Sequence, residues 1–276
     1  MRIRVSAITH RGLERSGNED CIGWNGWSMR GPQPGLLVSE FEITVPTAIV
    51  VCDGMGGHEG GEEASRLACE ILTDPEAFTG VDGVAVLDRG AVLDQLGTML
   101  QNASDAINDV GDARPELAGM GCTVVGVVID PAGHSVVFNV GDSRCYQVDG
   151  RYLTQLSVDH RQAGSNVLQQ ALGGGKRLIL EPDFFESPLP QSPGLLLCTD
   201  GLDDYSDPHD VERLALATGT DLVTGLRNLA LAGGGGDNVT VVQIEAVAPL
   251  DHRADTAPTS DANEINANKV GTAWPM

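Results

Sequence analysis

Basic residues are scarce in this 276-residue chain: 17 Lys and Arg stand against 39 Asp and Glu, a formal net charge of −22. So acidic a surface repels phosphate backbones and lacks the Lys and Arg clusters that hold them, which excludes nucleic acid as a partner. Long apolar runs are missing too, and none approaches the length of a membrane-crossing helix, so no membrane partner is expected. Residues 1–10 are too short and too mixed for a secretory leader. No Cys-x-x-Cys pair occurs among the cysteines at 21, 52, 69, 122, 145 and 198, most of which fall in apolar strands or on a helix face. They read as small buried hydrophobes in a reducing compartment, and the expected location is cytoplasmic. Aromatics make up only 4% of a chain that is 41% hydrophobic, a balance still ordinary for a globular fold with a substantial core.

Acid is what the chain has in plenty, and four aspartates stand at turns: Asp20 in Asn18-Glu19-Asp20, Asp53 in Asp53-Gly54-Met55-Gly56-Gly57, Asp200 in Thr199-Asp200-Gly201, and Asp237 in Gly236-Asp237-Asn238. Asp53 ends the apolar run Ala48-Ile49-Val50-Val51-Cys52, and Asp200 ends Leu195-Leu196-Leu197-Cys198-Thr199. Both runs read as buried strands that deliver a carboxylate to one edge of a sheet. Alone, each Asp-Gly or Asp-Asn pair is an ordinary turn. If the four converge, each close pair repels by roughly 4 kcal/mol at an effective dielectric of about 20, so the cluster must protonate or hold cations. With no His or Cys in these turns, the all-oxygen donors suit Mg2+ or Mn2+ rather than zinc or copper. Glycine after Asp53 and after Asp200 lets the backbone come close to an ion.

Periodicity predicts strands at 3–9 and 21–24, then a loop followed by a strand within 26–46. Ala64, Leu67, Ala68, Ile71 and Leu72 share one helical face, and a longer helix is expected over about 84–110. From 121 the pattern turns to β, with strands at 122–129, 135–140 and 145–148. Asp149-Gly150 between 145–148 and 151–154 is a strong hairpin signal. A short helix at 165–172, a buried strand at 195–199, helices at 208–217 and 221–231, and a closing strand at 239–244 complete the unit. Strands grouped apart from helices indicate α+β architecture with antiparallel sheets. Residues 1–246 read as one domain, and 247–276, poor in large apolar residues, as a disordered tail.

In this order, Arg15-Ser16-Gly17-Asn18-Glu19-Asp20, Asp53-Gly54-Met55-Gly56-Gly57-His58, Gly121-Cys122-Thr123, Gly141-Asp142-Ser143-Arg144, Thr199-Asp200-Gly201-Leu202 and Gly236-Asp237-Asn238-Val239-Thr240 resemble the motifs of the type 2C metal-dependent protein phosphatases, bacterial branch. The resemblance implies a four-layer αββα sandwich of two antiparallel sheets flanked by helices. It implies hydrolysis of phosphoserine and phosphothreonine in phosphorylated proteins with two Mn2+ or Mg2+ ions, opposing a Ser/Thr kinase. By the same resemblance Asp53 bridges the ions and the Gly54 carbonyl binds one of them, directly or through water. Asp200 and Asp237 hold the other, with Asp20 or Glu19 bound through waters. Arg15 matches the arginine that grips the substrate phosphate, a role its planar fork suits. Asp142 matches a third, weaker metal site shared with Asp200 and with Asp204, or with Asp203 beside it; as a residue it is equally a turn aspartate capping the backbone. The implied mechanism is in-line attack by a metal-activated water without a covalent intermediate. No cysteine lies in a Cys-x5-Arg loop, in keeping with that.

Some members carry a histidine, implicated as general acid, where this chain has Met55, which has no proton to donate. Protonation of the leaving group is then left to water, to His58 or to nothing, and His58 reads first as a structural or surface residue. Asp159-His160 matches a pair read as structural. Bacterial members insert a helical flap after that pair, whereas here only residues 161–170 separate it from Ala171-Leu172-Gly173. A flap cut to a stub predicts an open substrate rim and weak discrimination around the phosphosite. Gly173-Gly174-Gly175-Lys176-Arg177 lacks the Ser or Thr of a phosphate-binding loop and reads as a flexible turn, and Gly233 to Gly236 as a helix stop. The rival expectations are a catalytically silent relative that binds phosphoproteins, and a two-ion nuclease, which the acidic balance opposes.

Overall fold

The computed structural model describes residues 1–31, 35–78, 89–148, 152–162, 164–165, 167–190, 193–217 and 221–247. Its elements begin with β1 (Arg2–His10), β2 (Cys21–Trp24), β3 (Trp27–Arg30), β4 (Leu37–Glu42), β5 (Thr47–Cys52), β6 (Gly54–Met55), α1 (His58–Leu72) and α2 (Arg89–Ala113). There follow β7 (Gly121–Cys122), β8 (Val124–Ile129), β9 (His134–Val140), β10 (Arg144–Val148), β11 (Leu153–Gln155), β12 (Leu172–Gly173) and β13 (Asp183–Pro188). The chain continues through β14 (Gly194–Cys198), α3 (Asp200–Asp203), α4 (Pro208–Ala215) and α5 (Leu222–Ala232) to β15 (Val239–Val247). One antiparallel sheet has the order β11-β10-β14-β15-β1-β4, the other β13-β9-β8-β5-β2-β3, and a ribbon β12-β7-β6 stands beside them.

At their centres both sheets bury both faces, which is why the central strands are continuously apolar rather than alternating like the edge strand β4. In β5, Ile49 and Val51 face Val5, Leu195, Leu197, Val242 and Ile244 between the sheets. Val50 and Cys52 turn the other way, to Ala64, Ala68, Leu72, Leu100 and Ile107 of α1 and α2. On the far side, Leu196, Cys198, Val239 and Val241 pack on Leu222, Val223, Leu226 and Ala230 of α5. Each Val, Leu or Ile among them contributes about 1.5–3 kcal/mol on burial. The layers are therefore helix, sheet, sheet, helix, the α+β sandwich expected.

Two local expectations are corrected. Segment 26–46 holds two strands, not one: Asn25 and Gly26, at φ 54° and 73°, turn β2 directly into β3. Left-handed Asn-Gly is the hairpin turn whose twist matches the flanking strands. The described residues of segment 165–172 form no helix. Arg161 bridges Leu168, Gln162 N donates to the Val167 carbonyl, and Leu172 starts β12 opposite Cys122. Leu172 is fully buried in the helix-side core, so eight residues of weak helical pattern yield to a β pairing that fills it. The other helices begin and end within a few residues of expectation, although 84–88 of the long one lies outside the described residues. Also outside are the Asp149-Gly150 turn, whose flanks do pair, Val148 with Leu153, and the tail from 248; β15 itself runs through Val247.

Candidate active site

Antiparallel pairing brings the acidic turns to one end of the sandwich. Cys21 pairs with Cys52, so Asp20 just before β2 and Asp53 just after β5 share that end. Cys198 pairs with both Val241 and Arg144, which brings Asp200, Asp237 and Asp142 to it. His10 opposite Val239 carries the 11–19 loop, with Arg15 and Glu19, over the same edge.

Asp20 is fully buried. Its Oδ2 accepts from Thr240 Oγ1 at 2.6 Å and Thr199 Oγ1 at 3.1 Å, while its Oδ1 is buried without a hydrogen-bond partner. Burial pushes its pKa up to about 8; the two hydroxyls oppose the rise, and the charges of Asp200 and Asp237 add to it. Asp200 Oδ1 is likewise buried without a partner, and desolvation, then Asp142, Asp237 and Asp204, push that carboxyl up to about 7. Asp53 is held well above the usual carboxylate range by desolvation, by Asp20, Asp200 and Asp237, and by a hydrogen bond shared with Asp200. Asp20, Asp53, Asp200 and Asp237 thus act on one another as a single cluster. As the side chains stand, no group of three His, Cys, Asp or Glu among the described residues closes on one point as a metal site. The donor set nonetheless fits a hard cation. Two buried carboxylate oxygens lack a donor, and burial and like charge both penalise the ionised state, costs that a bound cation removes.

A buried polar relay fixes Asp20. Asn18 Nδ2 donates to Thr9 Oγ1 at 2.8 Å, the Thr9 and Thr240 hydroxyls meet at 2.7 Å, and Thr240 donates on to the carboxylate. Asp20 N closes the circle onto Asn18 Oδ1 at 3.2 Å. Asn238 staples the Arg15 loop: its Nδ2 donates to the carbonyls of Arg11 and Gly17, and its Oδ1 accepts from Glu19 N at 2.8 Å. Ser65 of α1 donates to the Glu19 carbonyl at 2.7 Å. Gly54 sits so close to the Gly61 and Glu19 carbonyls that a Cβ would strike both, and the Glu19 carboxylate lies over Gly61 in the first turns of α1. Asp53 N donates to Thr123 Oγ1, which meets Ser143 Oγ at 2.7 Å. Thr9 and Ser65 lie outside every motif and were missed in the sequence; a hydroxyl on the buried face of an apolar strand or helix is the one signal that could have drawn attention to them, though not to their partners.

Arg15 is half exposed on the rim and donates to Asp237 Oδ2 at 2.7 Å. Asp142 is buried and Asp204 partly exposed, and both face Arg161, a residue without an assigned role in the sequence. His160 is structural, as expected: its Nε2 and Asp183 Oδ2 are 2.8 Å apart, and Gly141 N donates to its Nδ1. The His58 side chain lies outside the described residues.

The family model described as Protein phosphatase 2C matches residues 42–224. The Listeria monocytogenes protein named Serine/threonine phosphatase stp is 31% identical over 218 residues, 71% of this chain and 83% of that one. Among solved structures, serine/threonine phosphatase Stp1 from Staphylococcus aureus is 26% identical with a TM-score of 0.71, over 88% of this chain and 95% of that one. The Mycobacterium tuberculosis serine/threonine phosphatase PstP/Ppp is 26% identical with a TM-score of 0.66, over 90% and 100%. Sequence match and architecture agree, and the chain belongs to the protein phosphatase 2C family.

Proposed function

We propose that residues 1–246 form a metal-dependent serine/threonine protein phosphatase that acts on phosphorylated proteins in the cytoplasm and opposes a Ser/Thr kinase. The observation that carries this reading is the pair of buried, partnerless oxygens, Asp20 Oδ1 and Asp200 Oδ1, in one repelling cluster with Arg15 on its rim. Asp53 would stand between two Mn2+ or Mg2+ ions, with the Gly54 carbonyl on one, Asp200 and Asp237 on the other, and Asp20 or Glu19 reached through water. Cations held there would supply the positive field that acidifies water and neutralises phosphoryl charge. Arg15, exposed and held by a carboxylate at its tip, is free to swing onto a phosphate and take two oxygens in its fork. Thr199, Thr240 and Asn18 keep the Asp20 carboxylate oriented, and Thr123 and Ser143 hold the backbone at Asp53. Met55 cannot protonate a leaving group, which leaves that step to water, to His58 or to no donor at all.

The test is hydrolysis of a phosphothreonine peptide with Mn2+, with and without chelator, for wild type and Asp53→Asn. Metal-dependent turnover lost in the variant is expected. Tight phosphopeptide binding by a folded protein without turnover would instead indicate a silent binding relative, and cleavage of a phosphodiester alone a nuclease.

A further inference from the structure

Asp142 and Asp204, two of the acids implied beside Asp200 for a third ion, meet a cation of the chain's own. Arg161 Nη1 lies 3.8 Å from Asp142 Oδ2 and 3.5 Å from Asp204 Oδ1, and its Nε lies 3.5 Å from Asp159 Oδ2. The neighbouring acids are already taken. Arg144 holds Asp159 with Nε and Nη2, at 3.0 and 2.7 Å, and reaches Asp203 at 3.2 Å. Asp203 also accepts from the Tyr146 hydroxyl at 2.7 Å. The root of Arg161 is fixed by its bridge to Leu168 and by Gln169 N, which donates to the His160 carbonyl at 2.7 Å. His160 N in turn donates to the Gly141 carbonyl, one residue before Asp142. The short return between Asp159-His160 and β12 therefore ties the guanidinium to the acids it faces.

We infer that the Arg161 guanidinium takes the place of a third cation between Asp142 and Asp204, so that these two acids recruit no divalent ion. The same nitrogen reaches both carboxylates, so an ion coordinating both oxygens at about 2.0–2.2 Å would have to expel it. Arginine keeps its charge at every working pH, and a tethered cation competes at an effective concentration on the order of millimolar, enough to displace a weakly held ion. Arg161 is also a poor candidate for substrate phosphate. Its side chain, among Asp142, Asp159 and Asp204, is 24% exposed, whereas that of Arg15, paired with Asp237, is 51% exposed.

The inference rests on the two-ion reading only for the absolute count of ions, and its test is a difference. Mn2+ is titrated into the full chain and bound ions are counted by calorimetry and electron paramagnetic resonance, without substrate. Wild type is expected to take two ions. Arg161→Ser gains one further, weaker ion, lost again in the Arg161→Ser/Asp142→Asn double variant, while Arg161→Lys keeps the wild-type count. Asp142→Asn alone leaves the count unchanged, and this arm needs no folded Arg161 variant. An Arg161→Ser protein that gains nothing, or an Asp142→Asn protein that loses an ion, overturns the inference. If wild type takes no Mn2+ but Arg161→Ser gains an Asp142-dependent ion, the two-ion reading fails and the role of Arg161 stands.

Discussion

The Arg15 guanidinium is bonded at 2.7 Å to Asp237 Oδ2, so a residue expected to hold phosphate is paired with one expected to hold metal. A cation held by Asp237 would compete with Arg15 and free it toward substrate, which would couple ion binding to readiness for phosphate. Arg15→Ala should therefore separate the two effects. Loss of a charge-assisted bond to the phosphoryl group lowers kcat/KM for a phosphopeptide by about 10- to 100-fold, from roughly 1.5–3 kcal/mol. Removal of a half-exposed competing ion pair tightens Mn2+ by at most about fivefold, from roughly 0.2–1 kcal/mol. Steady-state kinetics and Mn2+ calorimetry on one preparation check both. Weaker Mn2+ binding in the variant would sink the competition.

Thr240→Val removes the shorter donor to Asp20 and leaves the Thr9 hydroxyl without an acceptor. Both groups are fully buried, so the loss should cost about 1–3 kcal/mol. Urea unfolding in chelator reads this directly. An unchanged midpoint would mean that the relay is ornamental to stability.

The raised pKa values give the metal-free protein a signed pH dependence. Asp20, at about 8 when folded, and Asp200, at about 7, hold protons that the unfolded chain releases near pH 4. Native protein then binds more protons than unfolded protein, so their contribution to stability is complete below about pH 4 and is lost as pH rises toward 8. Relative to Asp20→Asn, chelated wild type should lose stability with pH at up to about 1.4 kcal/mol per unit. Mn2+ held by these carboxylates would displace those protons, so its stabilisation should grow over the same window. Denaturant melts at pH 5 to 8, with and without Mn2+, measure it; parallel profiles for wild type and Asp20→Asn would remove the basis of the argument.

Much of this centre was legible because burial on both faces writes itself as an uninterrupted apolar run. The runs ending at Asp53 and Asp200 could be little else than central strands, and their antiparallel partners carry Asp20 and Asp237 to the same end. What escaped notice depends on distance along the chain or on competition between local preferences. Thr9 and Thr240 touch across 231 positions, and nothing local in either says so. Asn25-Gly26 is a hairpin signal that the following Gly- and Pro-rich stretch obscured. The 165–172 segment has enough apolar residues for one helical turn or two, yet the core has a place for Leu172 only as a strand. Arg161 looks like any surface arginine until Asp142 and Asp204 are folded around it.

Two rim glycines give the sharpest stability contrast. At Gly54 a Cβ would strike the carbonyls of Gly61 and Glu19, both backbone atoms that cannot rotate away. At Gly17 the nearest obstacle is the Glu62 carboxylate at 3.4 Å, the movable end of an ordinary side chain. Gly54→Ala should therefore cost about 1–3 kcal/mol or more through overpacking, and should weaken Mn2+ as Asp53 is displaced. Gly17→Ala should lie within about 1 kcal/mol of wild type, since restricting the unfolded chain offsets small native losses. Thermal melts of the two proteins in chelator and in Mn2+ distinguish them. Equal melting temperatures would mean that backbone proximity is not why a glycine follows Asp53, and the carbonyl's freedom to face an ion would have to be argued on other grounds.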